Sequence, residues 1–361
     1  MTIDHFQYQG SPARIVFGRG TLSQLGDEAE RLGLGRLLVV STREQRAHAD
    51  RASSALGGRA IALFDAAAMH TPVGVTERAL ALALERGADG VLAIGGGSAI
   101  GLSKAIALRT DLPQIVVPTT YAGSEATPIL GQTQDGLKVT QRSERVLPEV
   151  IVYDVDLTLG LPVPMSVASG LNAVAHAAEA LYAPDGNPLI SAMAEEGVAA
   201  VAGALPRIHA EPTDPAARSQ ALYGAWLCGT CLGAVGMSLH HKLCHTLGGT
   251  FDLPHAETHA VILPHALAYN LPAAPDARRR LARALGAGDP SAALARLAAS
   301  IGAPHALRDL GMPEEGLARA ADLATQNTYP NPRALDRDGL LVLLRRAWAG
   351  EPPVEAVALG G

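Results

Sequence analysis

The sequence has few cysteines and few aromatic residues, and each shortage narrows the classes of protein that it fits. Only three of its 361 residues are cysteine, an odd number, which argues against a disulfide framework and favours a reducing compartment. A cytoplasmic location is therefore expected. Aromatic residues make up 4% of the chain, and no basic run interleaved with them is present. We therefore expect no nucleic-acid partner.

Long uninterrupted apolar stretches are also missing. Glycine, proline or charge interrupts each one short of the roughly 20 residues that a membrane span needs. The first five residues carry an acid early and do not have the layout of a signal peptide. We therefore expect no membrane partner. The composition, 48% hydrophobic and 18% charged, is typical of a folded globular protein, and the length predicts two domains.

The first half of the chain alternates short β-branched runs with helical patterns. The runs at 36–41, 90–94, 114–117 and 149–153 predict strands, and those at 76–86 and 99–108 predict helices. Fully apolar strands separated by helices indicate a parallel sheet covered on both faces. Asp135-Gly136, between polar alternating residues, predicts a small hairpin.

The composition changes after Leu161-Pro-Val-Pro164. From Ser166 onward alanine, leucine, histidine and arginine recur at helical spacing, with almost no run of strand length. The sequence thus predicts two domains. An α/β dinucleotide-binding domain with a Rossmann-like parallel sheet covers residues 1–160, and an all-α domain that holds the catalytic residues and the substrate covers residues 161–361.

A glycine-rich turn in the first domain predicts phosphate binding. It follows a predicted strand and opens a helix, so free backbone amides and the positive end of the helix dipole face a ligand there. The next strand ends in a threonine-rich loop, where open α/β sheets bind their ligands. The residues expected to bind the cofactor in these two loops are Gly95, Gly96, Gly97, Ser98, Thr119, Thr120 and Tyr121.

The tip of an earlier strand predicts loose cofactor choice. There Ser41 and Thr42 offer hydroxyls and Arg43 a cation, whereas a carboxylate would hydrogen-bond the adenosine ribose and repel a 2′-phosphate. We therefore expect NADH or NADPH as cofactor, with Ser41 and Thr42 among the residues that contact it. A plain surface loop at Arg43 is the alternative.

Histidines are concentrated in the second half, where eight of the twelve lie between residues 176 and 265. Asn172 and His176 are four residues apart, as are His241 and His245, so each pair projects from one face of a helix. Gly248-Gly249 is expected to end the second helix, and His255 begins a new segment. This arrangement predicts a convergent active site, although a lone histidine in an apolar helix is more often a core hydrogen-bonding residue.

The order of these motifs resembles the iron-containing alcohol dehydrogenase family. Its members carry a strand–Gly-Gly-Gly-Ser–helix loop, a Pro-Thr-Thr…Gly-Ser-Glu loop, Asp-x-x-x-His, and His-x-x-x-His-x-x-Gly…Pro-His. The chain shows the same order from Gly95 to His255, and the resemblance covers essentially its whole length. In that family the aspartate and three histidines hold a divalent metal. The matching positions are Asn172, His176, His241 and His255, and His245 matches a further active-site histidine.

The chain departs from the family pattern at several positions. Asn172 replaces the carboxylate ligand, Lys242 replaces a small residue, and Gly101 replaces an aspartate. These changes, with the tail Asn331-Pro-Arg333, resemble the maleylacetate reductase branch. Without an anionic ligand a metal is expected not to be required. If one binds, His176, His241 and His255 are its ligands.

The resemblance implies that the protein reduces the conjugated carbon–carbon double bond of maleylacetate to give 3-oxoadipate, a late step of aromatic-ring degradation. The substrate partner is then a small dicarboxylate, and the expected assembly is a homodimer. The expected catalytic residues are His245 as proton donor, with His241, Lys242, His176, His255 and Asn172. Two alternatives stay open: a metal-dependent alcohol dehydrogenase of the same fold, and a non-catalytic metal- or ligand-binding protein.

Overall fold

The chain divides into two compact units. The computed structural model describes residue 6 and residues 8–11, 13–134, 137–326 and 329–355. One unit comprises residues 10–161, and the other comprises residues from 162 onward with the described residues before residue 10. The division falls between Leu161 and Pro162, at the Pro-Val-Pro sequence where the composition changes. The first unit is α/β and the second is helical.

A six-stranded parallel sheet forms the centre of the α/β unit, as the sequence predicts. The strand order is β1-β8-β5-β4-β2-β3, and every neighbouring pair is parallel. Strands β2, β4, β5 and β8 are buried throughout, which explains their continuous apolar runs. The six strands are β1 Arg14–Gly18, β2 Leu37–Val40, β3 Ala60–Phe64, β4 Gly90–Gly95, β5 Gln114–Pro118 and β8 Val150–Asp154.

Helices connect these strands and cover the sheet. Both predicted helices form. The first begins earlier than expected, directly after Pro72, a residue type that is tolerated at a helix start. Apolar residues on either side of the sheet form two separate core clusters. The helices of this unit are α1 Leu25–Arg31, α2 Arg46–Leu56, α3 Val73–Glu85 and α4 Gly97–Thr110.

The order in which successive strands are added to the sheet reverses between β2 and β4. From β2 the chain moves outward to β3, then returns to the other side of β2 as β4 and continues through β5 to β8. Open α/β sheets bind ligands beyond the carboxyl ends of strands at such a reversal. The loops after β2 and β4 are those in which cofactor residues are predicted.

A two-stranded antiparallel hairpin lies outside the main sheet. Strands β6 (Ile129–Gln134) and β7 (Leu137–Arg142) pair from Ile129 with Arg142 to Gln134 with Leu137. The predicted hairpin is therefore confirmed. Its predicted turn, Asp135-Gly136, lies outside the described residues.

Among its described residues, the second unit contains helices and connecting segments but no strand. The expectation that α8 ends at Gly248-Gly249 is wrong, because the helix continues to Phe251 and ends at Asp252, which has a left-handed φ of 55°. Each glycine costs a helix about 1 kcal/mol, and packing of Leu247 and Phe251 in the core offsets it. The helices are α5 Val163–Ala180, α6 Pro188–Ala210, α7 Pro215–Ala234, α8 Leu239–Phe251, α9 His255–Asn270, α10 Pro275–Ala284, α11 Pro290–Ser300, α12 Gly316–Thr325 and α13 Arg337–Ala349.

Helix α6 is a long apolar helix of this unit. It runs for 23 residues and is long and apolar enough, by length and composition, to cross a membrane. Half of that apolar window is buried inside the protein, where α6 packs against α5 and α7. Packing within the helical unit therefore explains its composition.

Candidate active site

The glycine-rich turn joins β4 to α4 and leaves room for a ligand. The strand ends at Gly95 and the 14-residue helix begins at Gly97, so the first amides of α4 have no partner within the helix. A Cβ at Gly96 would lie 3.0 Å from the Thr120 methyl group, whereas one at Gly97 would meet nothing within 4 Å. The turn is therefore packed on one side and open on the other, as phosphate binding requires.

Hydrogen bonds tie the predicted cofactor loops together. The Thr119 amide donates to the Gly95 carbonyl at 3.1 Å, and the Thr119 hydroxyl donates to Gln45 Oε1 at 2.9 Å. Gln45 follows β2, so the loops after β2, β4 and β5 converge at one edge of the sheet. Sequence reasoning missed Gln45, since nothing in its local pattern links it to the other two loops.

At the tip of β2, the side chains of Ser41 and Thr42 form hydrogen bonds within the protein. Ser41 is fully buried, and its hydroxyl donates to the Ile94 carbonyl at 3.0 Å, so it links β2 to β4. The exposed Glu44 carboxylate accepts hydrogen bonds from its own backbone amide and from the Thr42 side chain. These two bonds lower the pKa of Glu44. A carboxylate that the sequence argument overlooked thus lies at this tip. The Tyr121 side chain is also fully buried.

Lys104, in the same helix as the glycine-rich turn, supports a loop. Its buried ammonium donates to the Ser124 carbonyl (2.6 Å), the Thr127 carbonyl (2.5 Å) and hydroxyl (3.1 Å), and the Ile129 carbonyl (3.1 Å). Burial lowers the pKa of Lys104 to about 7. These acceptors hold the segment that follows the threonine loop.

Gly101, one turn into α4, stands where the family has an aspartate. A Cβ there would lie 2.3 Å from the Thr71 hydroxyl, so Thr71 fills the space of the missing side chain.

Six histidines from three helices of the second unit form a cluster of contacting rings. Helix α5 contributes His176, α8 contributes three, and α9 contributes two. Ring centroids are 5.1 Å apart for His176 and His241, 5.0 Å for His241 and His259, and 4.2 Å for His255 and His259. His245 lies 6.3 Å from both His241 and His255. The cluster therefore brings together His176, His240, His241, His245, His255 and His259.

Several polar atoms of this cluster are buried without a hydrogen-bond partner. They are Asn172 Oδ1, His176 Nδ1, His241 Nε2 and both ring nitrogens of His259. A buried unpaired polar group costs about 1–3 kcal/mol, so these atoms mark a place where a bound molecule is accommodated. His259, four residues after His255 on the same face of α9, was not predicted.

Burial keeps the central histidines neutral. It lowers the pKa of His240 to about 4 and lowers those of His176, His241 and His259 well below the ordinary value, with repulsion from neighbouring histidines adding to the effect. A neutral imidazole carries one hydrogen and one lone pair. Each inner histidine can therefore donate one hydrogen bond and accept one.

One carboxylate contacts the cluster, and the sequence argument missed it. Glu179 is fully buried in the last turn of α5, and its Oε2 lies 2.7 Å from His241 Nδ1. It follows His176 by three residues and so lies on the same face of the helix.

Lys242 and His245 are the more accessible of the predicted catalytic residues. Lys242 is half-buried, and its ammonium lies 6.0 Å from the centre of the Tyr329 ring. Among the described residues it has no carboxylate at ion-pair distance. His245 is exposed and His255 half-buried, so these two face the open side of the cluster.

The segment Asn331-Pro-Arg333 contacts the end of α9 through hydrogen bonds and ring stacking. Asn331 and Asn270 exchange amide hydrogen bonds of 2.8 and 2.9 Å, and the Arg333 guanidinium stacks on the Tyr269 ring at 4.3 Å. This anchoring holds the chain next to Tyr329, whose hydroxyl is buried without a partner.

Comparison with known proteins gives consistent matches over nearly the whole chain. The profile described as iron-containing alcohol dehydrogenase matches residues 12–155, and that described as Fe-containing alcohol dehydrogenase family, C-terminal, matches residues 166–348. The chain is 56% identical to a maleylacetate reductase from Sphingobium indicum, over 97% of this chain and 99% of that protein. It is 57% identical to one from Rhizobium sp., over 96% and 99%. The crystal structure of maleylacetate reductase from Agrobacterium tumefaciens is 56% identical, covers 97% of this chain and 100% of its own, and superposes with a TM-score of 0.94.

Proposed function

This chain belongs to the iron-containing alcohol dehydrogenase family, and we propose that it acts as a maleylacetate reductase. It uses a reduced nicotinamide cofactor, NADH or NADPH, to reduce a conjugated carbon–carbon double bond. One observation carries the assignment beyond the family. Asn172 stands where the family has a metal-binding carboxylate, inside a cluster of neutral imidazoles, in a chain 56% and 57% identical to two maleylacetate reductases.

The family's divalent metal does not fit this cluster well. Asn172 and three imidazoles supply no negative charge, and an amide oxygen is a weaker ligand than a carboxylate for iron or zinc. Among the described residues, the imidazoles with ligand atoms within 4.8 Å of one another are His240, His241 and His259, two of which lie outside the family's ligand positions. If an ion binds, His176, His241 and His255 would hold it, and it would polarise a carbonyl oxygen.

Charge explains why an amide suits this reaction. Maleylacetate carries two carboxylates, and a third beside it would repel it. Hydride from the nicotinamide goes to the alkene carbon β to the ketone, the π electrons move toward the ketone, and an enolate forms. Lys242 supplies a cation for a substrate carboxylate or for the enolate oxygen. A proton then reaches the α carbon to give 3-oxoadipate, and the exposed His245 is our choice for its donor.

Loop geometry supports the cofactor assignment. Gly95 to Ser98 and Thr119-Thr120 lie at the carboxyl ends of neighbouring strands, where the open turn and the start of α4 accommodate a pyrophosphate. Acceptance of both NADH and NADPH is part of the proposal. So are a homodimeric assembly, a cytoplasmic location and the absence of nucleic-acid and membrane partners.

A metal-dependent alcohol dehydrogenase is the second candidate. The unpartnered Asn172 Oδ1, His176 Nδ1 and His241 Nε2 favour it, because these atoms match the positions of the family's metal ligands. It differs from the first candidate in two measurable ways: it would oxidise simple alcohols, and chelation would abolish its activity.

Oxidation of NADH and NADPH by the purified protein, followed by absorbance with maleylacetate or with simple ketones and aldehydes, tests the assignment. Rapid turnover of maleylacetate, with 3-oxoadipate identified by mass spectrometry, is expected. Turnover of ketones or alcohols without maleylacetate reduction would overturn the proposal. Absence of any nicotinamide oxidation would instead favour a non-catalytic binding protein.

A further inference from the structure

Glu179 receives hydrogen bonds from the start of helix α8. Its Oε1 accepts the His240 amide at 2.8 Å, and its Oε2 accepts the amides of Ser238 at 3.0 Å and His241 at 3.4 Å. A helix N-terminus carries partial positive charge and amides without helical partners. Burial raises the pKa of Glu179, and these donors, supplied by a helix of 13 residues, oppose that rise by stabilising the carboxylate form.

The same carboxylate fixes which nitrogen of His241 carries the hydrogen. A carboxylate can only accept, so the 2.7 Å contact between Glu179 Oε2 and His241 Nδ1 requires the hydrogen on Nδ1. In the neutral ring the lone pair is then on Nε2. That nitrogen is buried and has no partner within the protein.

His240 provides independent support for this tautomer. Its Nε2 lies 3.1 Å from the His259 carbonyl, which can only accept, so the His240 hydrogen is on Nε2 and its lone pair is on Nδ1. That Nδ1 lies 3.4 Å from His241 Nδ1. Two lone pairs would repel at this distance, whereas a hydrogen on His241 Nδ1 makes the contact favourable.

We infer that Glu179 is a positioning residue, which fixes His241 as the Nδ1–H tautomer and presents its Nε2 as an acceptor to the molecule bound in the histidine cluster. This inference rests on the proposed function. It also assigns His241 a specific role, because a neutral His241 accepts at Nε2 and does not donate to the enolate oxygen. Donation to that oxygen is then left to Lys242.

Substitution Glu179→Met tests the inference with little change of volume. Methionine removes both carboxylate oxygens, so His241 Nδ1 loses the acceptor that fixes its hydrogen there. We expect ¹⁵N-histidine NMR to show protonated Nδ1 in the unmodified protein and a mixture of both tautomers in the variant, with the His241 signals assigned through a His241→Gln protein. With maleylacetate, kcat should fall by about tenfold or more. The KM for NADH should change by less than about twofold, since the cofactor loops lie in the other unit.

Glu28→Met is the matched control, since Glu28 is also a buried carboxylate but lies in α1 of the α/β unit, paired with Arg14 and Arg31. It should leave both kcat and the His241 signals unchanged. Protonated Nε2 in the unmodified protein would overturn the inference, and that measurement stands even if Glu179→Met does not fold. A changed tautomer population with unchanged kcat would also overturn it. Failure of the unmodified protein to reduce maleylacetate would count against the proposed function and leave the tautomer measurable.

Discussion

At position 172 the amide has a measurable consequence for metal binding. We predict that the purified protein keeps its activity after exhaustive chelation and holds well under one metal ion per chain. Substitution Asn172→Asp restores one carboxylate beside His176 and His241. It should raise zinc affinity by about tenfold or more and slow maleylacetate turnover, because it adds negative charge near an anionic substrate.

Metal analysis and kinetics on both proteins check this prediction. Asn172→Leu, which removes the amide without adding charge, separates loss of the amide from gain of the carboxylate. Tight stoichiometric metal in the unmodified protein, with activity lost on chelation and restored by Fe²⁺ or Zn²⁺, would favour the metal-dependent alcohol dehydrogenase.

Lys242 should recognise substrate charge. Lys242→Met keeps helix propensity and most of the volume but removes the cation, so kcat/KM for maleylacetate should fall by about tenfold or more with cofactor binding little changed. Arg308→Met is a suitable control, because Arg308 also lies over an aromatic ring of the helical unit, that of Trp348, at 5.9 Å. Unchanged kinetics in Lys242→Met would show that the Lys242 ammonium does not bind the substrate.

Residue spacing was enough to predict part of this cluster, because positions three or four apart on a helix share a face. That rule links Asn172 to His176 and His241 to His245. Applied further, it would also have linked Glu179 to His176 and His259 to His255. The contact of Tyr329 with Lys242 joins residues far apart in the chain, and a single sequence carries no local signal for it.

Among the elements, we propose that the tip of β2 governs cofactor choice. Thr42 and Arg43 favour acceptance of a 2′-phosphate, and Glu44, bonded to Thr42, opposes it. We predict that kcat/KM for NADH and NADPH differ by less than about 100-fold, which is ~2.7 kcal/mol. Glu44→Gln should shift the ratio toward NADPH by about tenfold, and Arg43→Gln should shift it the other way. A preference for NADH of roughly 10⁴ or more in the unmodified protein would contradict this view of the strand tip.

The sheet was predictable where its strands are buried on both faces. Runs such as 90–94 and, apart from Gln114, 114–117 are apolar and end at turn residues, and β4 and β5 form there. Strand β3 and helix α2 were not predicted. All five residues of β3 are only partly buried, and α2 is rich in charge with few large apolar residues, so neither carries a clear periodic signal. The extension of α8 past two glycines reflects core packing, which outweighs local propensity.

For the molecule as a whole, the uneven placement of buried histidines predicts an uneven response to acid. In the helical unit burial lowers the pKa of both His240 and His265 from 6.5 to about 4. At a pH between these two pKa values, each of these histidines is protonated in the unfolded chain but neutral in the folded chain. The free energy of unfolding therefore falls as the pH falls through this range. Each such histidine removes about 2 kcal/mol between roughly pH 7 and pH 5.

Denaturant unfolding at these two pH values can test the response of each unit separately. Both tryptophans, Trp226 and Trp348, lie in helices α7 and α13, so tryptophan fluorescence reports the helical unit, and hydrogen–deuterium exchange of peptides reports the α/β unit. We expect the free energy of unfolding of the helical unit to fall by about 4 kcal/mol or more on acidification, with a much smaller fall in the α/β unit. Replacing His265 by Phe should reduce the acid loss by about 2 kcal/mol whatever its effect at neutral pH. An equal loss in both units, or a His265→Phe protein as acid-sensitive as the unmodified one, would contradict this prediction.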